Sequence, residues 1–207
     1  QDSGIFQYRV ARFDLGLDGE LGLALAHPLY VLAAQITRIG TDAGLPWRLN
    51  AFSGVGMAVA LANVAAVIAL LTRRRAVALG IVAVMALMHA CWWLSTIAEV
   101  YTWSLAGFTL ELWLLMLLLR RPTTGKLAAL ALVSGLGLCI HNFALLPLPV
   151  YAVAAVWLVA KRRLPAWSLA AAAGCWIAGA GLYLSMIAVK AGEVGLLPAA
   201  KSALVGQ

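Results

Sequence analysis

The chain has 207 residues; 64% are hydrophobic, only 11% are charged, and the formal net charge is +7. Soluble domains run near 45–50% apolar and about 25% charged, so a soluble globular domain is excluded and a polytopic membrane protein is expected. The basic residues sit in short clusters between apolar runs, so membrane topology explains them and no nucleic-acid partner is expected.

Residues 1–46 are the least hydrophobic part and read as a first external loop. Ile5 to Phe13 has the pattern of a short amphipathic helix, and Pro28 opens a second one, His27 to Ile39, as proline suits a first helical turn. At about 1.5 Å per residue this segment is too short for about 30 Å of hydrocarbon. It is expected at the interface or packed on the bundle. Residues 47–190 then read as a bundle of six membrane helices, near 48–71, 76–95, 102–119, 127–142, 143–160 and 166–189. Pro147 and Pro149 blur the start of the fifth. Residues 191–207 read as the start of a further external segment. The fold class expected is therefore an all-α integral membrane protein with short interfacial helices. The chain opens Gln1-Asp2-Ser3-Gly4 and ends without a natural stop, so it reads as a piece of a longer protein. Cys91, Cys139 and Cys175 all lie in apolar runs with no metal-ligand spacing, and read as small buried hydrophobes.

Arg73-Arg74-Arg75 follows the first span, Arg120-Arg121 and Lys126 flank the third-to-fourth connection, and Lys161-Arg162-Arg163 follows the fifth. With six spans all three fall on one side, which the positive-inside rule makes cytoplasmic. Asp2, Glu99 and His141 are then placed together on the opposite face. Glu99 lies in Ser95-Thr96-Ile97-Ala98-Glu99-Val100-Tyr101-Thr102, a polar break between two apolar runs. An acid at a membrane rim is costly to place and marks a candidate site. Glu111 lies mid-span and is expected to be protonated or paired inside the bundle. His89 is expected to be a packing residue bonded to a neighbouring helix.

Five motifs follow one another in order. Asp2-Ser3-Gly4 opens the loop, then come His27-Pro28-Leu29-Tyr30, Trp47-Arg48-Leu49-Asn50-Ala51-Phe52-Ser53, Ile97-Ala98-Glu99-Val100-Tyr101-Thr102, and Gly135-Leu136-Gly137-Leu138-Cys139-Ile140-His141-Asn142. Together they resemble the GT-C membrane glycosyltransferases, in the branch that holds the eukaryotic O-mannosyltransferase of IPT domains and its bacterial relatives. Ile5 stands where that branch often has an acid, and Ile140-His141-Asn142 replaces its Gly-Asn-His order.

The resemblance implies a polyprenyl-phosphate sugar donor, with mannose as the sugar, and a hydroxyl acceptor, a protein Ser or Thr, on the external face of a bacterial inner membrane. It implies inverting displacement at the anomeric carbon, which needs a carboxylate to take the hydroxyl proton and cations to hold the departing phosphate. Asp2 is the expected general base. Glu99 is expected to assist it, to orient the acceptor, or to ligate a divalent metal ion with Asp2; no His/Cys metal pattern is present. The external arginines Arg48, Arg9, Arg12 and Arg38 are candidates for the phosphate, with Arg48 first. His27, Tyr101, His141 and Asn142 are candidates for sugar or phosphate contacts. A lipid or glycan acceptor, or a non-enzymatic transporter or flippase, are the alternatives.

Overall fold

The computed structural model describes residues 3–17, 22–40 and 44–206. Asp2, the expected general base, and Asp42 lie outside them. The described residues form helices α1 (Ser3–Arg12), α2 (Pro28–Ala34), α3 (Leu45–Thr72), α4 (Arg75–Ala86), α5 (His89–Ser95), α6 (Tyr101–Arg120), α7 (Thr124–Ile140), α8 (Leu148–Ala160), α9 (Trp167–Val194) and α10 (Leu196–Leu204), with short 3₁₀ turns between some of them. Apolar runs rich in Leu, Ala and Val make the long helices, because in hydrocarbon a backbone must satisfy its own hydrogen bonds. Charge and proline stop them. Pro28, Pro46 and Pro149 each stand in the first turn of a helix, where the missing N–H has no partner to lose. Thr123 caps α7 by accepting from the Lys126 N–H at 3.3 Å.

By length and composition four segments can cross a membrane: Leu45–Thr72, Tyr101–Arg120, Asn142–Ala160 and Trp167–Val194. The expected second span is broken. Arg75–Ala86 and His89–Ser95 meet at 69°, and count as a fifth crossing only if taken as one. The break contains no proline or glycine; the chain leaves the helix at Met88, whose ψ of 139° is extended. The expected fourth span is α7, 17 residues long and short of the others. The six predicted spans are thus four, or five with the bent pair, on this measure.

Side-chain contacts set the helix directions. Trp103 Nε1 donates to Phe52 O at 3.1 Å, Asn63 Nδ2 donates to Ala106 O at 3.1 Å, and Arg120 donates to Leu70 O. Rising numbers on α3 meet rising numbers on α6, so these two helices run parallel. Any chain joining Thr72 to Tyr101 must therefore travel back along the bundle, and α4 with α5 makes that return. α7 runs antiparallel to α6: Leu127 and Leu130 pack with Leu118, and His141 stacks near Tyr101 at 5.8 Å. α9 runs parallel to α7. Gly135 and Gly179 face each other there, and a Cβ on either would run into the opposite backbone, at Trp176 O and Leu132 O respectively. Small residues let membrane helices approach this closely.

One end of the bundle thus carries α1, α2, the Glu99 turn, His141 and α10. The other carries Arg73–Arg75, Arg120, Arg121, Lys126 and Lys161–Arg163. The grouping expected from the basic clusters, Glu99 with His141 and away from the cations, is what the helix directions produce. His89 departs from expectation: it is exposed, and its ring lies 6.2 Å from Trp93 of its own helix. Among the cysteines only Cys139 is buried; Cys91 and Cys175 are half-buried at the bundle surface.

Candidate active site

A cavity of about 100 Å³ lies between α1, the residue 25–27 segment, the Glu99 turn and the end of α7. Arg9, His27, Glu99, Tyr101 and His141 supply its polar walls, and Ile5, Phe6, Leu25 and Val100 its apolar ones. These five polar residues come from four separate stretches of sequence; His27, Glu99, Tyr101 and His141 stand in the quoted motifs, and Arg9 was expected only as one of four external arginines.

Glu99 is 5% exposed, in a turn clamped from α3. Its backbone N–H donates to Ser53 Oγ at 3.3 Å, and Ser53 Oγ lies 3.5 Å from Glu99 O. Ser53 is wholly buried, so this link is shielded from water. Tyr30 of α2 stacks edge-on against Phe6 at 5.1 Å. Burial pushes its phenol well above the usual range, and the charge of Glu99 pushes it up further. Tyr30 and Ser53 stand inside the quoted motifs but drew no role from the sequence. Each is one hydroxyl in an apolar run, and only helix packing brings it to Glu99.

His27 holds a left-handed backbone, φ 50° and ψ 48°, just before Pro28. Such a conformation in a non-glycine residue persists only where the surroundings over-determine it. Here its Nδ1 lies 2.7 Å from Ile140 O. A carbonyl can only accept, so Nδ1 carries the proton. The ring stacks on His141 at 5.1 Å. His141 is set the other way: its Nδ1 accepts from the Phe143 N–H at 3.2 Å, which leaves the proton on Nε2 when the ring is neutral. Burial pulls the His141 pKa below the ordinary 6.5. The two neighbouring histidines therefore have opposite tautomers, each fixed by backbone.

Arg9 is the arginine that reaches the cavity. It is 7% exposed, and Nη1 donates to Leu25 O at 2.7 Å and Ala26 O at 3.0 Å. It therefore holds the segment that carries His27. Gly16, at φ +81°, passes so close that a Cβ there would sit 2.9 Å from Arg9 Nη2. The other arginines lie elsewhere. Arg48, expected to be the first phosphate ligand, turns its Nε to Thr37 O and lies against Gly40 and Gly44. Arg38 is exposed and reaches Gln35 Oε1 at 3.4 Å, and exposed Arg12 lies over the Tyr8 ring at 5.9 Å. Asn142 does not line the cavity, and its Nδ2 donates to Ala203 O at 2.8 Å, tying α10 to the bundle. Residues at one end of a bundle share a rim but not a cleft. The helical face on which each sits decides, and sequence order did not reveal it.

Among the described residues no group of three His, Cys, Asp or Glu side chains is placed to hold a metal ion. Tyr101, 42% exposed, lines both this cavity and a larger apolar groove of about 480 Å³ that runs down between α6 and the residue 143–147 turn. The polar cavity thus borders a surface open to lipid. No family model, no curated protein and no solved structure matches the chain.

Proposed function

We propose that this chain is a membrane glycosyltransferase of the GT-C kind, moving a sugar from a polyprenyl-phosphate donor to a hydroxyl acceptor. One observation carries the reading. A buried carboxylate, an arginine, two histidines and a tyrosine converge on one cavity at the rim of a helix bundle, next to an apolar groove. The broken pair α4–α5 then counts as one crossing and α7 as another, and the cavity stands on the face opposite the basic clusters, the external face by the positive-inside rule. The sugar is mannose and the acceptor a protein Ser or Thr in this reading.

The acceptor oxygen attacks the anomeric carbon, the bond from that carbon to the phosphate oxygen breaks, and the hydroxyl proton passes to a carboxylate. Asp2 takes that proton in the resemblance. Glu99 then holds the acceptor hydroxyl in line, and its carboxylate also favours the positive charge that develops at the sugar ring. The remaining N–H groups of Arg9, the Nε2–H of His141 and the Tyr101 hydroxyl are the donors available to the leaving phosphate. A transporter reading would centre on groups near the midplane, where Glu111 lies; the convergence of five polar side chains at one end favours transfer.

The test is transfer of labelled mannose from polyprenyl phosphate to a Ser/Thr peptide by the full-length protein in lipid. Glu99→Gln should lower transfer by about 100-fold, the scale of a misplaced acceptor, with unfolding unchanged. Equal transfer by the variant removes Glu99 from the chemistry. Transfer to a lipid or glycan in place of the peptide keeps the reaction and changes the acceptor.

A further inference from the structure

Glu111 is used by nothing above. It lies on α6 ten residues beyond Tyr101, about 15 Å deeper along the helix, at the floor of the 480 Å³ groove. It is 1% exposed. Its Oε2 accepts from the Tyr151 hydroxyl of α8 at 2.8 Å. Its Oε1 has no hydrogen-bond partner among the described residues. That oxygen lies toward Gly137, also a groove residue, where an added Cβ would approach it to 3.2 Å. No Lys or Arg among the described residues pairs with it; the ion pair present is Lys190–Glu193.

Apart from Ser104, the rest of the groove is hydrocarbon and aromatic ring. Phe108 of α6 and Phe143 of the turn after α7 are 47% and 62% exposed, and Tyr101 closes the upper end. An isoprenoid or acyl chain would suit these walls but would leave the Glu111 carboxylate without a counter-charge, the costly outcome for a buried ion. An anionic headgroup would be repelled. A ligand with a positive charge on an apolar body meets both demands, since the charge faces the carboxyl and the aromatic faces attract it as well. The volume suits a drug-sized molecule, and entry from the bilayer requires solubility in lipid.

We infer that the groove between α6 and the residue 143–147 turn is a binding site for a lipophilic organic cation, with Glu111 as its counter-charge and Tyr151 holding that carboxyl in place. The inference does not depend on the sugar-transfer reading.

Tetraphenylphosphonium is the probe, and triphenylphosphine oxide the neutral comparison. With the full chain in nanodiscs of uncharged lipid, the cation should bind saturably and the neutral compound should not. Glu111→Gln should weaken binding by about tenfold or more, as expected for a lost charged partner, while Glu99→Gln leaves it unchanged. A second measurement uses the unaltered protein. Dicyclohexylcarbodiimide should modify Glu111, detected by mass spectrometry, and tetraphenylphosphonium should protect it. Binding no greater than to empty nanodiscs, equal binding of the neutral compound, or full modification at saturating cation would each overturn the assignment.

Discussion

Glu99 and Glu111 lie twelve positions apart, both nearly out of reach of water, yet the bundle treats them differently. Glu99 sits in a turn, its backbone held by a serine, with an arginine and two histidines on the same cavity. Glu111 sits in mid-helix with one tyrosine and, among the described residues, no Lys or Arg beside it. Burial alone therefore does not define a reaction site. A reacting carboxylate needs other polar groups aimed at one volume, and that requires several elements to end together. Helix ends and turns meet that condition because their backbone leaves the hydrogen-bonded cylinder. A mid-helix carboxyl has only the faces of its neighbours.

The largest expected contrast is in transfer. Glu99→Gln should lose about 100-fold, and Glu111→Gln should stay within a few-fold, both read with the labelled donor. Loss of transfer in both would make the two carboxyls one site. Next is the stability of the two ends. Arg9→Met removes a buried guanidinium bonded to two carbonyls and should lower unfolding free energy by about 2–3 kcal/mol, whereas exposed Arg12→Met should change it by less than about 0.5 kcal/mol in the same denaturant titration. Similar effects would show that Arg9 is not the clamp on residues 25–27. Ser53→Ala should cost about 1 kcal/mol for the lost link to the Glu99 backbone, with a fall in transfer that Tyr151→Phe does not share.

The smallest effect is in pH. The folded His141 has a pKa below the unfolded 6.5, so the unfolded chain binds more protons as pH falls through that value, and stability falls with it. The melting temperature should decline from pH 7.5 toward pH 5.5. His141→Asn should flatten the decline. A slope unchanged in the variant would move the titration to another group.

Much of this site was legible in the chain. His27, Glu99, Tyr101 and His141 were named from motifs, because a polar residue breaking an apolar run must be placed somewhere that satisfies it; Arg9 was named only as one of four external arginines. The ranking among arginines was not legible. Arg48 leads a span and Arg9 lies in a loop helix, yet Arg9 lines the cavity, since α1 folds its buried face onto the segment before Pro28. The break at Met88 was also hidden, as no proline or glycine marks it.

Sequence by itself determined that this is a helical membrane protein and which end of each helix carries charge, because hydrocarbon length and the cost of bare charge leave few alternatives. Tertiary structure alone decided which polar groups share a cavity. That depends on helix direction and rotation, and these follow from contacts such as Asn63 with Ala106 and Gly135 with Gly179, which join residues dozens of positions apart.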